Sequence, residues 1–261
     1  MIKRRRIPLH AFYSLAILFS LWEVIARLGL VSQFLLPPPS SIIITWIDLL
    51  SPSMNYLLEK HIFCSFYRLM YGFLLAAALG IPLGILMGIS DPVYKLFSPA
   101  LSLLYPIPSI AWVPVVILWL GLGDMTIITI IFLSAIFPIV YNVSMGVRGV
   151  DKRYIWAAQI MGAKGFHIFT KVLIPGAFPY IVTGLKLAMG GGWRSLVAAE
   201  MLSATAYGVG YMIFEARTFL AVEVMFSGII TLAIIGFILE RVVFGFIERR
   251  TLERWGMLRR F

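Results

Sequence analysis

Hydrophobic positions in this chain gather into long runs, and most of the charge lies in the short segments between them. A helix needs about 20 consecutive apolar residues to cross a bilayer core of about 30 Å. Measured against that length, six runs qualify, at roughly 9–30, 62–89, 97–120, 125–147, 177–203 and 225–247. The pattern predicts an all-α polytopic membrane protein of about six transmembrane helices, forming a single transmembrane domain over 1–261. Between the first two runs, Pro37-Pro38-Pro39 leads into Ser40-Ser41-Ile42-Ile43-Ile44-Thr45-Trp46. That reads as a capped amphipathic helix lying at the interface, too interrupted to span.

The third run holds Pro106, Pro108 and Pro114 within nine residues. Each proline removes a backbone donor, so this helix must break or kink. Backbone freed at membrane depth is tolerated only where protein or a watery cavity satisfies it. A pathway and a proline-kinked packing helix both fit, and Tyr105, Ser109 and Trp112 are candidate lining residues on the first reading. Gly80, Gly84 and Gly88 fall on one helix face, and Gly190-Gly191-Gly192 sits in the fifth run, as close helix contact requires.

Composition removes the soluble alternatives. Hydrophobic residues make up 61% of the 261 and charged ones 13%, and the mean hydropathy is +0.94. The net charge of +10 brackets the apolar runs and is not interleaved with aromatics, which points to topology and away from nucleic acid. Sixteen of the 22 basic residues fall in segments that a six-span chain places on one side, among them Lys3, Arg4, Arg5, Arg6, Lys95, Arg148, Lys152, Arg153, Lys164, Lys171, Arg249 and Arg250. Positively charged loops stay in the cytoplasm, so both termini are expected there, with chiefly Lys60 and Arg217 outside. Trp22, Glu23 and Arg27 stand where a signal peptide would be cleaved, which favours an uncleaved first span. Cys64 is alone and apolar in setting, and His10, His61 and His167 are scattered. Neither a metal site nor an intramembrane enzyme's nucleophile is indicated.

The longest inner connection, 151–175, carries a different signal. Asp151 is placed to cap a short helix, Gly162 to turn the chain, and a second helical stretch to run until Pro175. Small Ala157, Ala158, Gly162 and Ala163 would admit a partner's backbone closely, with Lys152, Arg153 and Lys164 around the contact. Charged residues also lie inside the fifth run. Arg194 and Glu200 are six residues apart, about 600° of helix rotation, so each must find its own partner on a different face. Arg194 is a candidate for helping an anion cross and Glu200 for holding the outer end or gate, against a purely structural role for both; Arg68 reads as structural.

The connection resembles that of the binding-protein-dependent ABC importer permeases, which carry Glu-Ala-Ala, three residues, Gly, nine residues, Ile-x-Leu-Pro. Ala157, Ala158, Gly162 and Pro175 match in register, Val172 and Ile174 are conservative replacements, and Trp156 stands where the family has glutamate. Leu36-Pro37-Pro38-Pro39, Gly80-Ile81-Pro82-Leu83-Gly84, Pro106 through Pro114 and Leu196-Val197-Ala198-Ala199-Glu200-Met201 are similar to the nitrate, sulfonate, taurine and bicarbonate branch, taurine permeases nearest. The resemblance implies a type I ABC importer permease fold in the bacterial inner membrane, paired with a second permease copy, two ATPase subunits and an external solute-binding protein. It also implies that the segment from Ala157 to Phe166, with Ala163 and Lys164, couples to the ATPase. No Gly-x-x-x-x-Gly-Lys-Ser/Thr loop is present, so this chain is expected to hold no cofactor, with ATP and magnesium on the partner. A secondary transporter or channel shares the spans and kinks but gives no reason for the docking segment. Sulfonate, nitrate, bicarbonate, aromatic acid, thiamine-precursor and riboflavin substrates are not distinguished by the residues.

Overall fold

The computed structural model describes residues 9–32, 34–55 and 57–248; the basic residues at 3–6 and 249–260 lie outside this range. Every regular element in it is helical: α1 (Leu9–Arg27), α2 (Pro39–Leu49), α3 (Leu57–Ile89), α4 (Asp91–Leu104), α5 (Val113–Leu120), α6 (Asp124–Arg148), α7 (Lys152–Ile160), α8 (Phe166–Ile168), α9 (Ile174–Ser203), α10 (Val209–Thr218), α11 (Val222–Phe237) and α12 (Phe244–Glu248). Among the described residues, four continuous helical rods are long and apolar enough to cross a membrane: Leu57–Ile89, Asp124–Arg148, Phe166–Ser203 and Val222–Ile247. A fifth crossing arises if the broken pair Asp91–Leu104 and Ser109–Leu120 counts as one. The remaining run is the 19-residue helix α1, about 28 Å long at 1.5 Å per residue.

The third run does not form a kinked helix. It stops at Leu104 and resumes at Ser109 turned by 89°. Pro108 ends the irregular stretch and Pro114 falls in the first turn of α5, where a missing N–H costs nothing. The prolines thus divide one span into two helices.

Core packing is set by small residues. α6 lies between α3 and α9, and α3 runs parallel to it along a ladder in which Gly72, Gly80 and Gly84 meet Ile131, Ile139 and Val143, and Gly88 meets Val147. Built Cβ atoms at Gly72 and Gly84 would lie 2.7 Å from Ile131 and Val143. Ala76 occupies the missing rung, fully buried with Ala135 and Ile139. The series at Gly80, Gly84 and Gly88 therefore extends back two helical turns, and its partner is the β-branched face of α6. The triple glycine of α9 faces three neighbours in succession: Gly190 the carboxylate of Glu240, Gly191 the hydroxyl of Ser134, and Gly192 Ile131 and Leu69.

Helix α2 is not capped by its own serines. Pro38 is its N-cap and offers no side-chain bond. Glu23 of α1 supplies the acceptor, taking the Ser40 N–H at 3.0 Å and the Ser40 hydroxyl at 2.7 Å. The Trp46 indole N–H then donates to Thr231 of α11 at 2.9 Å, which ties α1, α2 and the last span together.

Candidate functional site

The bundle has two ends. α3 finishes, α4 starts, α6 finishes and α9 starts at one of them; there Arg148 pairs with Asp91 at 2.7 Å and its guanidinium lies 4.3 Å from the Tyr94 ring centre. From this end the 151–175 segment projects. Asp151 caps α7 by accepting the Arg153 N–H at 2.9 Å. The Arg153 guanidinium, and then that N–H, hold the Asp151 carboxyl below the usual carboxylate range. α7 closes on Gly162 at φ +85, with the Gly162 N–H reaching Gln159 O and the Ala163 N–H reaching Ala158 O, both at 2.9 Å. That pair of bonds is a Schellman turn, and glycine is the residue that enters its left-handed position without a Cβ penalty.

The outer surface of this hairpin is apolar. Trp156, Ile160, Met161 and Phe166 are 57%, 87%, 81% and 76% exposed, whereas Ala158 is buried. Lys164 and Ala157 are exposed, and Ala163 half-buried. Side chains of that size left open beyond the spans mark a contact surface. The second helical stretch does not end at Pro175. A π-helical turn at Phe169–Leu173 carries the chain past the proline, which lies in the first turn of α9. Pro175 cannot donate to the carbonyl four residues back, and widening the turn lets the helix continue. The second arm of the hairpin and the fifth span are in consequence one rod, Phe166–Ser203.

The opposite end is closed by a buried polar cluster. Glu200, 1% exposed, accepts from Arg68 Nη1 at 2.8 Å, from Ser65 Oγ at 2.8 Å and from the Gly210 N–H at 2.9 Å. Arg68 also reaches Asp124 at 2.7 Å and the Tyr207 carbonyl. Ser65 takes the Val209 N–H at 2.9 Å, and His61 Nδ1 the Gly208 N–H at 3.0 Å. A charge pair at this depth persists only when its remaining lone pairs and protons are satisfied, and here α3, α6, α9 and the loop into α10 all contribute. Gly208 has φ +148, and a Cβ there would lie 2.5 Å from the Glu200 carboxyl carbon. Glycine is required at the point where the loop crosses the carboxylate.

Between the ends, α4 leans on α3 and leaves a groove over α6. A cavity of 340 Å³ is lined by Leu101, Ser102, Tyr105, Pro106, Phe137 and Tyr141. Its extension towards the first end is a 30 Å³ space bordered by Tyr94, Ser98, Ser102, Tyr141 and Ser144. The Ser144 hydroxyl is buried and has no hydrogen-bond partner there. All the groove's polar groups are hydroxyls.

Of the residues singled out in the sequence, Tyr105 lines this groove. Ser109 joins a hydroxyl chain in which it lies 2.6 Å from Ser195, itself 3.0 Å from Ser134. Trp112 packs against the main core cluster. Arg194 has a side chain 73% exposed, with Glu240 3.8 Å away, on the open face of α9 that also carries Tyr180, Thr183 and Leu187. Glu200 lies in the closing cluster and lines no part of the groove. Ser102, Phe137, Tyr141 and Ser144 carry no sequence signal, being ordinary span residues until α4 tilts away from them. Asp124, just before the fourth run, is a further cluster residue that the sequence reading did not single out. Among the described residues no group of three or more His, Cys, Asp and Glu side chains is placed to hold a metal.

Comparison with known proteins gives one consistent answer. Residues 80–252 match the family described as binding-protein-dependent transport system inner membrane component. The chain is 38% identical over 229 residues to the taurine transport system permease protein TauC of Escherichia coli, covering 87% of this chain and 83% of that one. It is 37% identical over 238 residues to the putative aliphatic sulfonates transport permease protein SsuC of Bacillus subtilis, covering 91% and 84%. Among solved structures, the MetNI methionine ABC transporter in an inward-facing conformation superposes with a TM-score of 0.67 at 20% identity, over 77% of this chain and 99% of that one. That likeness is one of fold.

Proposed function

The chain belongs to the family of binding-protein-dependent transport system inner membrane components, and on that premise we propose that it forms half of the path by which a small sulfonate enters the cell. It is a permease component of an ABC importer with the type I fold. The second half is another copy of this chain, the energy comes from two ATPase subunits that hold ATP and magnesium, and a solute-binding protein delivers the substrate. Both termini lie in the cytoplasm, so the 151–175 hairpin faces the ATPase and the Glu200 cluster faces outward, in the orientation the basic loops favour.

The observation that carries this reading is the continuity of the hairpin's second arm with the fifth span through Phe166–Ser203. A push on Phe166 is delivered along a helix about 57 Å long, whose far end bears Glu200. The contact is apolar, since Trp156 replaces the family glutamate and adds surface where a salt bridge would stand. The groove supports an anionic substrate: hydroxyls from Ser98, Ser102, Tyr141 and Ser144 supply donors, and no carboxylate borders it. Neutral donors hold an oxyanion weakly enough for it to leave. Arg194, exposed on a membrane-spanning helix, is costly against lipid and is accounted for by a second copy or an aqueous path on that face.

The test is uptake of labelled taurine and labelled nitrate into proteoliposomes holding the permease, its ATPase and each binding protein. ATP-dependent taurine uptake supports the sulfonate reading. Uptake of nitrate alone moves the substrate to another anion, and flux that ignores ATP indicates a channel or secondary transporter.

A further inference from the structure

Midway through the bundle, α9 and the last span bring together two charges that belong neither to the closing cluster nor to the groove. Arg194 lies about 14 Å inside the outer end of α9 at Ser203, near the middle of a bilayer core of about 30 Å. Glu240 faces it from the last span, with 3.8 Å between Arg194 Nη1 and Glu240 Oε1, and both side chains are exposed. That separation is too long for a hydrogen bond. Elsewhere in the same bundle Arg68 meets Glu200 at 2.8 Å and Arg148 meets Asp91 at 2.7 Å. Charges at this depth are costly against lipid, yet these two lie within reach of each other without closing the contact.

Local structure shapes their meeting point. The last span departs from α-helical geometry at Ile238–Val243, a π turn that carries Glu240, and such widened turns recur at functional sites. Opposite the carboxylate stands Gly190, where a Cβ would lie 2.8 Å from Glu240 Oε1, 3.6 Å from Arg194 Nη1 and 3.8 Å from Arg194 Nη2. The missing side chain leaves a slot for an oxygen in front of the guanidinium. Hydroxyls begin on the adjoining residues of α9. A Cβ at Gly191 would lie 3.1 Å from Ser134 Oγ, and the Ser195 hydroxyl is 3.0 Å from Ser134 and 2.6 Å from Ser109. Ser134, Phe137 and Tyr141 are spaced along one face of α6, so the hydroxyl chain stands at the outer end of the groove that Phe137 and Tyr141 line. Arg194 is the residue beside it.

We propose that the slot over Gly190 is an oxyanion site in which the sulfonate group of the substrate and the Glu240 carboxylate take turns on Arg194. The proposal rests on the sulfonate reading and adds to it the group that competes with the substrate. A guanidinium presents a planar fork of donors, which the oxygens of a carboxylate or of another oxyanion accept. An arginine alone would hold the anion, and conduction needs a site that also lets it go. Glu240 supplies the release: as the sulfonate leaves, the carboxylate returns, and at no stage does the guanidinium stand without an anion at membrane depth. The open 3.8 Å pair suits such an exchange, since a closed pair would first have to be broken.

The experiment measures retention of labelled taurine, by rapid filtration, on the permease–ATPase complex in lipid nanodiscs without binding protein, beside ATP-dependent taurine uptake by the full importer in proteoliposomes. Glu240→Gln removes the competitor and should raise retention at least tenfold, displaceable by unlabelled taurine, while uptake slows because release is slow. Glu240→Asp, which shortens the reach of the carboxylate, should raise retention to a smaller extent. Adding Arg194→Gln to Glu240→Gln should abolish the gain, and so should adding Gly190→Ala, whose methyl fills the slot and alters no charge. Co-purification of the ATPase with each variant shows that the fold is kept. A purely structural pair would instead lower the thermal unfolding midpoint and uptake together in Glu240→Gln and Arg194→Gln, with retention unmoved, and that result overturns the proposal. A gain in retention that survives Arg194→Gln overturns it as well. Failure of the native importer to take up taurine would count against the sulfonate reading itself, whereas native uptake with no gain in Glu240→Gln removes the exchange at Arg194 alone.

Discussion

A single guanidinium at Arg68 serves carboxylates from two other helices, and its two partners differ in what they lose without it. Glu200 is sealed, whereas the Asp124 side chain is 54% exposed. Removing one partner of a buried pair leaves an uncompensated charge, at a cost of about 3–5 kcal/mol, while an exposed pair is worth under about 1 kcal/mol. Arg68→Ala should therefore lower the thermal unfolding midpoint of the purified protein sharply, and Asp124→Asn only slightly; equal shifts would contradict this division. The charge at Glu200 was visible in the sequence, and so was its inability to pair with Arg194. Its true partner lies 132 positions earlier in the chain, and only the parallel packing of α3 and α6 beside α9 brings the two together. Local spacing has no access to such a pair, which is why Arg68 and Glu200 read as separate features.

At the scale of elements, glycine spacing on α3 decides how closely α6 can approach. Gly84→Val places a branched side chain where even a Cβ would sit 2.7 Å from Val143. Overpacking of this sort costs about 1–3 kcal/mol and often more, and the variant should accumulate poorly in membranes. Gly245→Ala is the control, because nothing lies within 4 Å of its Cβ position; a comparable loss there would show that glycine is needed for flexibility and not for approach. This ladder was legible because a helix face repeats every three to four residues. The 89° turn at Tyr105–Pro108 was legible as a disturbance, not as a clean break, since the prolines say where amides are missing but not how the chain redirects. Conversely, Pro175 looked like a stop and is passed by a π turn. The Asp151 cap adds a pH signature. Its lowered carboxyl supports α7 at neutral pH, and that support is lost only as pH falls through the lowered value. Amide protection in α7 should be level from neutral pH to about 4 and decline below it, and a decline beginning at pH 6 would point to another group.

For the whole molecule, the arrangement suits the proposed coupling. The second arm of the exposed hairpin, from Phe166, the π turn and α9 form one rod, and the rod's far end is held by Arg68, Ser65 and the Gly208 loop. Movement of the Phe166 arm can reach the Glu200 cluster along one helix, a physical path for the proposed coupling. The hairpin's turn residues and the charge at Glu200 are legible in the sequence, and the rod that joins Phe166 to Glu200 appears only in three dimensions. The most direct test is the ATPase activity of the permease–ATPase complex in lipid with the substrate-loaded binding protein, comparing the native chain with Gly162→Trp. At φ +85 the tryptophan disrupts the Schellman turn and the docking face together. Stimulation by the loaded binding protein is expected in the native complex, and its loss, by at least tenfold, in the variant. Stimulation that survives Gly162→Trp would show that the signal does not travel through this hairpin.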